Sequence, residues 1–236
     1  MKHCSLIVPI AADKSEYESH IPFVFRMDDS GTMYCLKAIL GLELSVFDNI
    51  YITILKKHAM QYGVAGMLQL QIERLKLRNV RISILATPTH NQAETIYQTI
   101  QQESITGAIY IKDSDGYFKS EIVVQNGVAV CPIEKLPVLN PQNKSYVNVD
   151  NLFYITNIIE KRVVSHFINA GGYCFEDAAQ FCNYYERLTD KNEKLYLSHI
   201  VYAMLLDKID FRPTIVEDFE DWGDNALINV RKNLNL

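Results

Sequence analysis

The chain has no run of lysines or arginines, no CxxC cysteine pair and no long hydrophobic stretch. Lysine and arginine total 23 against 28 aspartates and glutamates, a formal net charge of −5. Polynucleotide phosphates call for a positive footprint, so no DNA or RNA partner is expected. A single nucleotide stays admissible, because magnesium offsets its phosphate charge. The five cysteines (Cys4, Cys35, Cys131, Cys174, Cys182) are odd in number and widely spaced. That argues against a disulfide framework or thiolate zinc site and for buried, reduced thiols. Cys174 and Cys182 are near enough to approach each other across two helical turns. The first apolar run, residues 6–10, contains Pro9 and is closed by Asp13 and Lys14. It is too short for a membrane span or secretory signal, and the cytoplasm is the expected location. There are only seven prolines and no low-complexity linker or internal repeat, while 48% of the 236 residues are hydrophobic. A globular chain with one substantial core follows.

What is present is an alternation of periods. Residues 6–10 and 49–55 are apolar, the latter rich in β-branched side chains, as buried strands are, and 80–85 and 108–111 supply further strands. Residues 11–20 are polar and read as a loop. Between residues 58 and 77, Met60, Val64, Met67, Leu68, Ile72 and Leu75 mark one side of a single helix. A second helix is expected over 90–102. Strand–helix alternation of this kind is the signature of parallel α/β units. After Asp115 the rhythm changes to short β-rich segments at 120–124, 128–133, 145–149 and 152–158. Asn126-Gly127 and Asn140-Pro141 mark turns among them. Helices follow at 176–188 and 195–206, and a last strand at 211–216, placed at an edge by Pro213. The expected fold is one α/β domain over residues 1–236, with a mixed central sheet and helices on both faces.

Two acidic strings carry the chemistry. Ile111-Lys112-Asp113-Ser114-Asp115-Gly116-Tyr117-Phe118 begins at the end of an apolar strand, where loops of open α/β sheets meet ligands. Asp113 and Asp115, at i and i+2 of an extended segment, point the same way and offer hard oxygen ligands to one magnesium ion. The plainer reading is a solvated Asp-Gly turn. Glu217-Asp218-Phe219-Glu220-Asp221-Trp222-Gly223-Asp224 is also placed after a strand, with aromatics and glycine among its acids. One of its carboxylates is suited to complete a metal shell that neutralises phosphate oxygens. Lys161 and Arg162, after Glu160, are suited to a phosphate or are ordinary surface charges. Ala170-Gly171-Gly172-Tyr173 permits close backbone approach or a turn. His58, His90 and His199 show no metal-ligand spacing, and no nucleophile arrangement or GxGxxG element is present.

Taken in order, these strings resemble the sugar-phosphate nucleotidyltransferases, the pyrophosphorylase-like branch of the GT-A fold. Bacterial members of capsule and lipopolysaccharide precursor synthesis are the most similar in pattern. Thr89-His90-Asn91-Gln92-Ala93-Glu94-Thr95 resembles the family's base-side segment, which implies a nucleobase-facing Gln92. Residues 112–118 resemble the central aspartate motif, with Asp115 matching the magnesium ligand and Asp113 an additional aspartate. Ile159-Glu160-Lys161 is similar to the Glu-Lys motif facing the acceptor's sugar and phosphate. Residues 170–175, with Gly171, Gly172 and Tyr173, are similar to the glycine–aromatic strand of the acceptor pocket. Asp221-Trp222-Gly223 resembles the late element that supplies the second magnesium aspartate. The resemblance implies Asp115, Lys161 and Asp221 as the catalytic set and Mg2+ as the cofactor. The implied partners are a nucleoside triphosphate and a phosphorylated sugar or similar small metabolite, with homo-oligomerisation left open.

The chain departs from the pattern after the first strand. The family places there a glycine-rich loop containing an arginine; this chain has Ala11-Ala12-Asp13-Lys14-Ser15-Glu16-Tyr17-Glu18. Backbone amides of Ala11 and Ala12, with Lys14 or Arg26 as the cation, are the remaining donor-loop candidates. Asp13, Glu16 and Glu18 add like charge beside phosphates unless they turn away. Three readings follow: a transferase with an unusual donor loop, a non-catalytic nucleotide- or sugar-binding or regulatory domain, and a GT-A glycosyltransferase using Asp113 and Asp115 as a DxD metal site.

Overall fold

Four parallel strands form the centre of the computed structural model: β1 (Cys4–Ile10), β2 (Asn49–Leu55), β3 (Val80–Leu85) and β4 (Ala108–Lys112). The structure describes residues 3–11, 23–136, 143–189 and 194–223. Every residue of β1 is buried, which is why it reads as an unbroken apolar run. Its side chains still alternate. Leu6, Val8 and Ile10 enter the core on one face of the sheet, and Ile7 the core on the other.

The second half of the chain extends this sheet through a reversed strand. β9 (Phe167–Phe175) runs antiparallel to β4 and to β6 (Gly127–Pro132), and β10 (Arg212–Ile215) lies parallel to β6 at the edge. The order is β10-β6-β9-β4-β1-β2-β3. β7 (Ser145–Val149) pairs with the start of β9 and with β8 (Ile155–Glu160). Pro213, in β10, occupies the edge position its missing N–H demands.

The short helix α2 (Lys56–Tyr62) and α3 (Val64–Arg74) accompany one face, with Val64, Leu68 and Ile72 inserted into the core there. α4 (Gln92–Glu103), α5 (Ala178–Thr189) and α6 (Leu197–Leu206) cover the other face through Ile96, Ile100, Phe181, Tyr185, Ile200 and Met204. A one-turn helix, α1 (Tyr34–Lys37), lies between β1 and β2. The expected architecture therefore holds: a single-domain α/β fold with a mixed central sheet flanked by helices. Among the described residues no helix is long and apolar enough to cross a membrane.

Several local expectations are corrected. The helix expected over 58–77 is two helices, broken at Gly63, whose φ of +66° is the left-handed stop that glycine permits. Met60, upstream of that break, is 77% exposed instead of joining the apolar stripe. No strand covers 120–124. The Asp-Gly turn feeds directly into β5 (Gly116–Lys119). Residues 152–154 do not extend β8, because Asp150 Oδ1 accepts the N–H groups of Leu152 and Tyr154 and closes a turn there. All five cysteines are buried free thiols, and Cys174 meets Cys4 instead of Cys182. The turn expected at Asn140-Pro141 lies outside the described residues.

Candidate functional site

β4 ends by driving Lys112 into the interior, where it is fully buried. Its Nζ donates to the carbonyls of Asp113 (2.9 Å) and Gly116 (2.8 Å) and lies 4.5 Å from the Phe118 ring centroid. One ammonium thus ties both ends of the acidic turn. Burial pulls its pKa down to about 8, against the opposing charges of Asp113 and Asp115.

Gly116 opens β5, and β11 (Glu217–Asp221) returns antiparallel beside it, with Asp221 opposite Gly116 and Glu220 opposite Tyr117. The Trp222 N–H donates to the Asp115 carbonyl at 2.7 Å. This two-stranded ribbon brings the two acidic strings together. Asp115 and Asp221 flank Gly223, at which a Cβ would lie 2.8 Å from Asp115 Oδ2 and 3.4 Å from Asp221 Oδ1. Burial raises the Asp115 pKa, and the charges of Asp113 and Asp221 raise it further, while Lys144 and Lys112 oppose them. Lys144 pairs with Asp221, its Nζ 2.5 Å from Oδ2.

Asp113 is held from three sides. Its N–H donates to the Gly171 carbonyl (2.8 Å), and its Oδ1 accepts from Gln92 Nε2 (2.5 Å) at the start of α4. Gly171, with φ of +81°, passes so close that a Cβ there would sit 2.6 Å from Asp113 Oδ2. The helix start that carries Gln92 is itself capped, since Asn91 Oδ1 accepts the Glu94 N–H at 2.9 Å.

The same cleft continues to the end of β8. Glu160 Oε2 accepts from Ser145 Oγ (2.5 Å) and from the buried Ser198 Oγ (2.9 Å) of α6. Asn169 holds the other wall: its Nδ2 donates to the Tyr173 hydroxyl and its Oδ1 accepts the Gly171 N–H. Burial raises the Tyr173 pKa well above the usual phenol value, helped by the charges of Asp113 and Glu160. Tyr196 and Phe219 complete the lining.

One cleft therefore gathers Gln92, Asp113, Asp115, Glu160, Gly171, Tyr173 and Asp221 from the residues singled out in the sequence. Others lie elsewhere. Gly172 points into the core, where a Cβ would meet the Tyr110 hydroxyl, Ala129 and Phe118, because neighbours in a strand face opposite ways. Lys161, with φ of +57°, is exposed and donates to the Tyr196 hydroxyl (3.1 Å), outside the cleft lining. β7 intervenes between β8 and β9, so the Glu-Lys and glycine strings are not on adjacent strands. Arg26 lies outside the lining with its guanidinium 5.1 Å from the Phe23 ring. Ala11 is buried at the end of β1, its carbonyl accepting the Thr89 N–H. Ala12, Asp13, Lys14, Glu16, Glu18 and Asp224 lie outside the described residues.

Sequence reasoning passed over Lys144, Asn169, Ser145, Ser198 and Tyr196. Each is an ordinary polar residue beside a strand or helix start, and only the polar, β-breaking Asn143-Lys144 pair ahead of β7 offered a signal. Chemically, the described lining sets four carboxylates (Asp113, Asp115, Glu160, Asp221) against the single cation Lys144. A phosphate enters such a cleft only with a further cation.

No protein-family model matches this sequence, and no curated protein matches it. Solved structures do match its fold. A nucleoside-diphosphate-sugar pyrophosphorylase from Vibrio cholerae RC9 superposes with a TM-score of 0.75 at 12% identity, over 96% of this chain and 98% of that one. The inositol-1-phosphate CTP transferase from T. maritima gives 0.69 at 11% identity, covering 100% and 96%. HddC from Yersinia pseudotuberculosis gives 0.61 at 13%, covering the whole of both chains. Identities this low show a shared fold.

Proposed function

We propose that the protein transfers a nucleoside monophosphate from a nucleoside triphosphate to a phosphorylated small metabolite, releasing pyrophosphate. The observation that carries this reading is the convergence of Asp115 and Asp221 beside Asp113 in a cleft that continues to Glu160. That cleft stands on a fold shared with proteins whose names denote this chemistry. In the reaction, an acceptor phosphate oxygen attacks the α-phosphorus. The bond from that phosphorus to the bridging oxygen breaks, and pyrophosphate leaves with the electron pair. No proton need be removed from a dianionic phosphate nucleophile, so positioning and charge neutralisation carry the catalysis.

The residues fit a magnesium ion. Asp115 and Asp221 are hard oxygen donors; burial first, and then the charges of Asp113 and Asp221, raise the Asp115 pKa, and a cation relieves the second of these. No three His, Cys, Asp or Glu side chains form a cage among the described residues. Magnesium suits such a site, since it is commonly held by one or two carboxylates with water and substrate phosphates. When bound, the ion would neutralise the triphosphate oxygens near the α-phosphorus. Lys112 keeps the acidic turn in register from beneath, and Gln92 and Gly171 fix Asp113. Glu160, oriented by two serines, accepts hydroxyl hydrogen bonds from the acceptor. Lys161, across Tyr196 at the rim, meets the acceptor phosphate on entry.

The test is pyrophosphate release from a panel of nucleoside triphosphates and sugar phosphates with magnesium, in the parent and in Asp115→Asn and Asp221→Asn. Loss of magnesium-dependent turnover in both variants supports the reading, and unchanged turnover in both sinks it. The acids that follow β1 in the sequence, Asp13, Glu16 and Glu18, favour a second reading, binding without turnover. Nucleotide-induced thermal stabilisation in a parent that releases no pyrophosphate would favour that reading.

A further inference from the structure

Lys144 is the only cation among the described residues lining the cleft, and its ammonium contacts a carboxylate that the proposed reaction assigns to the metal. It stands one residue before β7. Its carbonyl accepts the Lys161 N–H at 2.9 Å, continuing the ladder from the Ser145–Glu160 pair. The backbone is thus fixed on the β7–β8 hairpin while the side chain reaches across to the β5–β11 ribbon. Its Nζ lies 2.5 Å from Asp221 Oδ2 and 5.9 Å from the Phe219 ring centroid. The two charged side chains are only 16% and 11% exposed.

We infer that Lys144 is the protein's own counter-ion for the Asp115–Asp221 pair, and that a divalent cation must displace it to bind. This rests on the reading of those aspartates as metal ligands. Asp221 Oδ1 accepts the Gly223 N–H at 3.1 Å and Oδ2 carries the Lys144 ammonium, so a cation that reaches Oδ2 meets Lys144 there. An ammonium and a divalent ion carry like charge and repel each other when both sit on that oxygen, the more so because the pair is only partly solvated. Without Lys144 the two neighbouring carboxylates would keep only Lys112 as a nearby cation, and removing one partner of a buried pair is strongly destabilising.

Displacement has a consequence for ligand binding. The freed ammonium remains tethered in the cleft and needs a new anionic partner. A phosphate ligand supplies one, so the ion binds weakly alone and more tightly when a polyphosphate accompanies it. By linkage, the polyphosphate binds more tightly with the ion by the same factor.

The experiment measures Mn2+ binding to the intact protein at pH 8, from the electron paramagnetic resonance signal of the free ion. Parent, Lys144→Met and Lys144→Arg are titrated alone and then with inorganic pyrophosphate. Lys144→Met is expected to bind Mn2+ about tenfold or more tightly than the parent without pyrophosphate, because the competing charge is gone while side-chain length is kept. Lys144→Arg should keep the parent's weak binding. Pyrophosphate should tighten binding in the parent more than in Lys144→Met. Equal affinities in parent and Lys144→Met, or weaker binding in the variant, would overturn the inference and leave the metal reading intact. Absence of binding in all proteins, with and without pyrophosphate, would overturn both. Near-UV circular dichroism verifies the fold, and Lys144→Gln replaces the methionine variant should that variant not fold.

Discussion

Replacing Gly171 with alanine should damage both the fold and the site, by an amount the geometry bounds. At φ of +81° a non-glycine residue sits in left-handed backbone, which costs about 1–2 kcal/mol. The new methyl would also lie 2.6 Å from Asp113 Oδ2 and 2.9 Å from its Cβ and Cγ. Asp113 cannot swing aside cheaply, since its N–H is bonded to Gly171 itself and its Oδ1 to Gln92. Overpacking of this kind adds about 1–3 kcal/mol. The expected destabilisation is therefore about 2–5 kcal/mol in urea or guanidinium unfolding, at unchanged m-value. Magnesium-dependent nucleotide binding should be lost in the fraction that folds. Gly172→Ala is the control. Its methyl would meet the Tyr110 hydroxyl, Ala129 and Phe118 in the core, so it should destabilise by about 1–3 kcal/mol while sparing nucleotide binding. A Gly171→Ala protein within about 1 kcal/mol of the parent, or one with parental nucleotide binding, would refute the reasoning.

Four further outcomes are expected. Asp115→Asn should raise the melting temperature of the metal-free protein at neutral pH while removing magnesium-dependent nucleotide binding, since it deletes a partly buried charge beside Asp113 and Asp221. A carboxyl whose folded pKa is raised destabilises only when ionised, so this gain should vanish in acid, below about pH 4; a gain that persists there contradicts the assignment. For Lys112, folding lowers the pKa from about 10.4 to about 8, so the folded state binds fewer protons between those values and stability should rise with pH across that window, by up to about 3 kcal/mol. Denaturation from pH 7.5 to 10 should show that slope in the parent and not in Lys112→Met; matching slopes would refute it. Ser198→Ala should raise the KM for a hydroxylated acceptor without moving nucleotide binding, because it loosens Glu160 alone, and an unchanged KM would remove Glu160 from the acceptor contacts.

Much of the scaffold was legible because the forces that set it are local. Buried parallel strands demand continuous apolar runs, so β1, β2 and β4 announced themselves, as did the edge position of Pro213. The acidic strings also stood out singly, through aspartates mixed with glycine and aromatics at strand ends. Errors fell where one residue overrules a period. Gly63 divides a continuous helical stripe, and Asp150 converts a β-rich stretch into a turn.

The sequence by itself thus determined the fold class, the sheet's parallel half and the two acidic strings that line the candidate cleft. Only the tertiary structure decided how those strings meet, because pairing β11 with β5 depends on contacts between segments distant along the chain. Period alone left Gly171 and Gly172 equivalent. The pleat of β9 and the Asp113 contact assign one to the cleft and the other to the core. Likewise Lys144, an unremarkable lysine before a strand, becomes the cleft's counter-ion only when β7 and the ribbon stand face to face. Electrostatics acts through space, and no spacing along the chain encodes that distance.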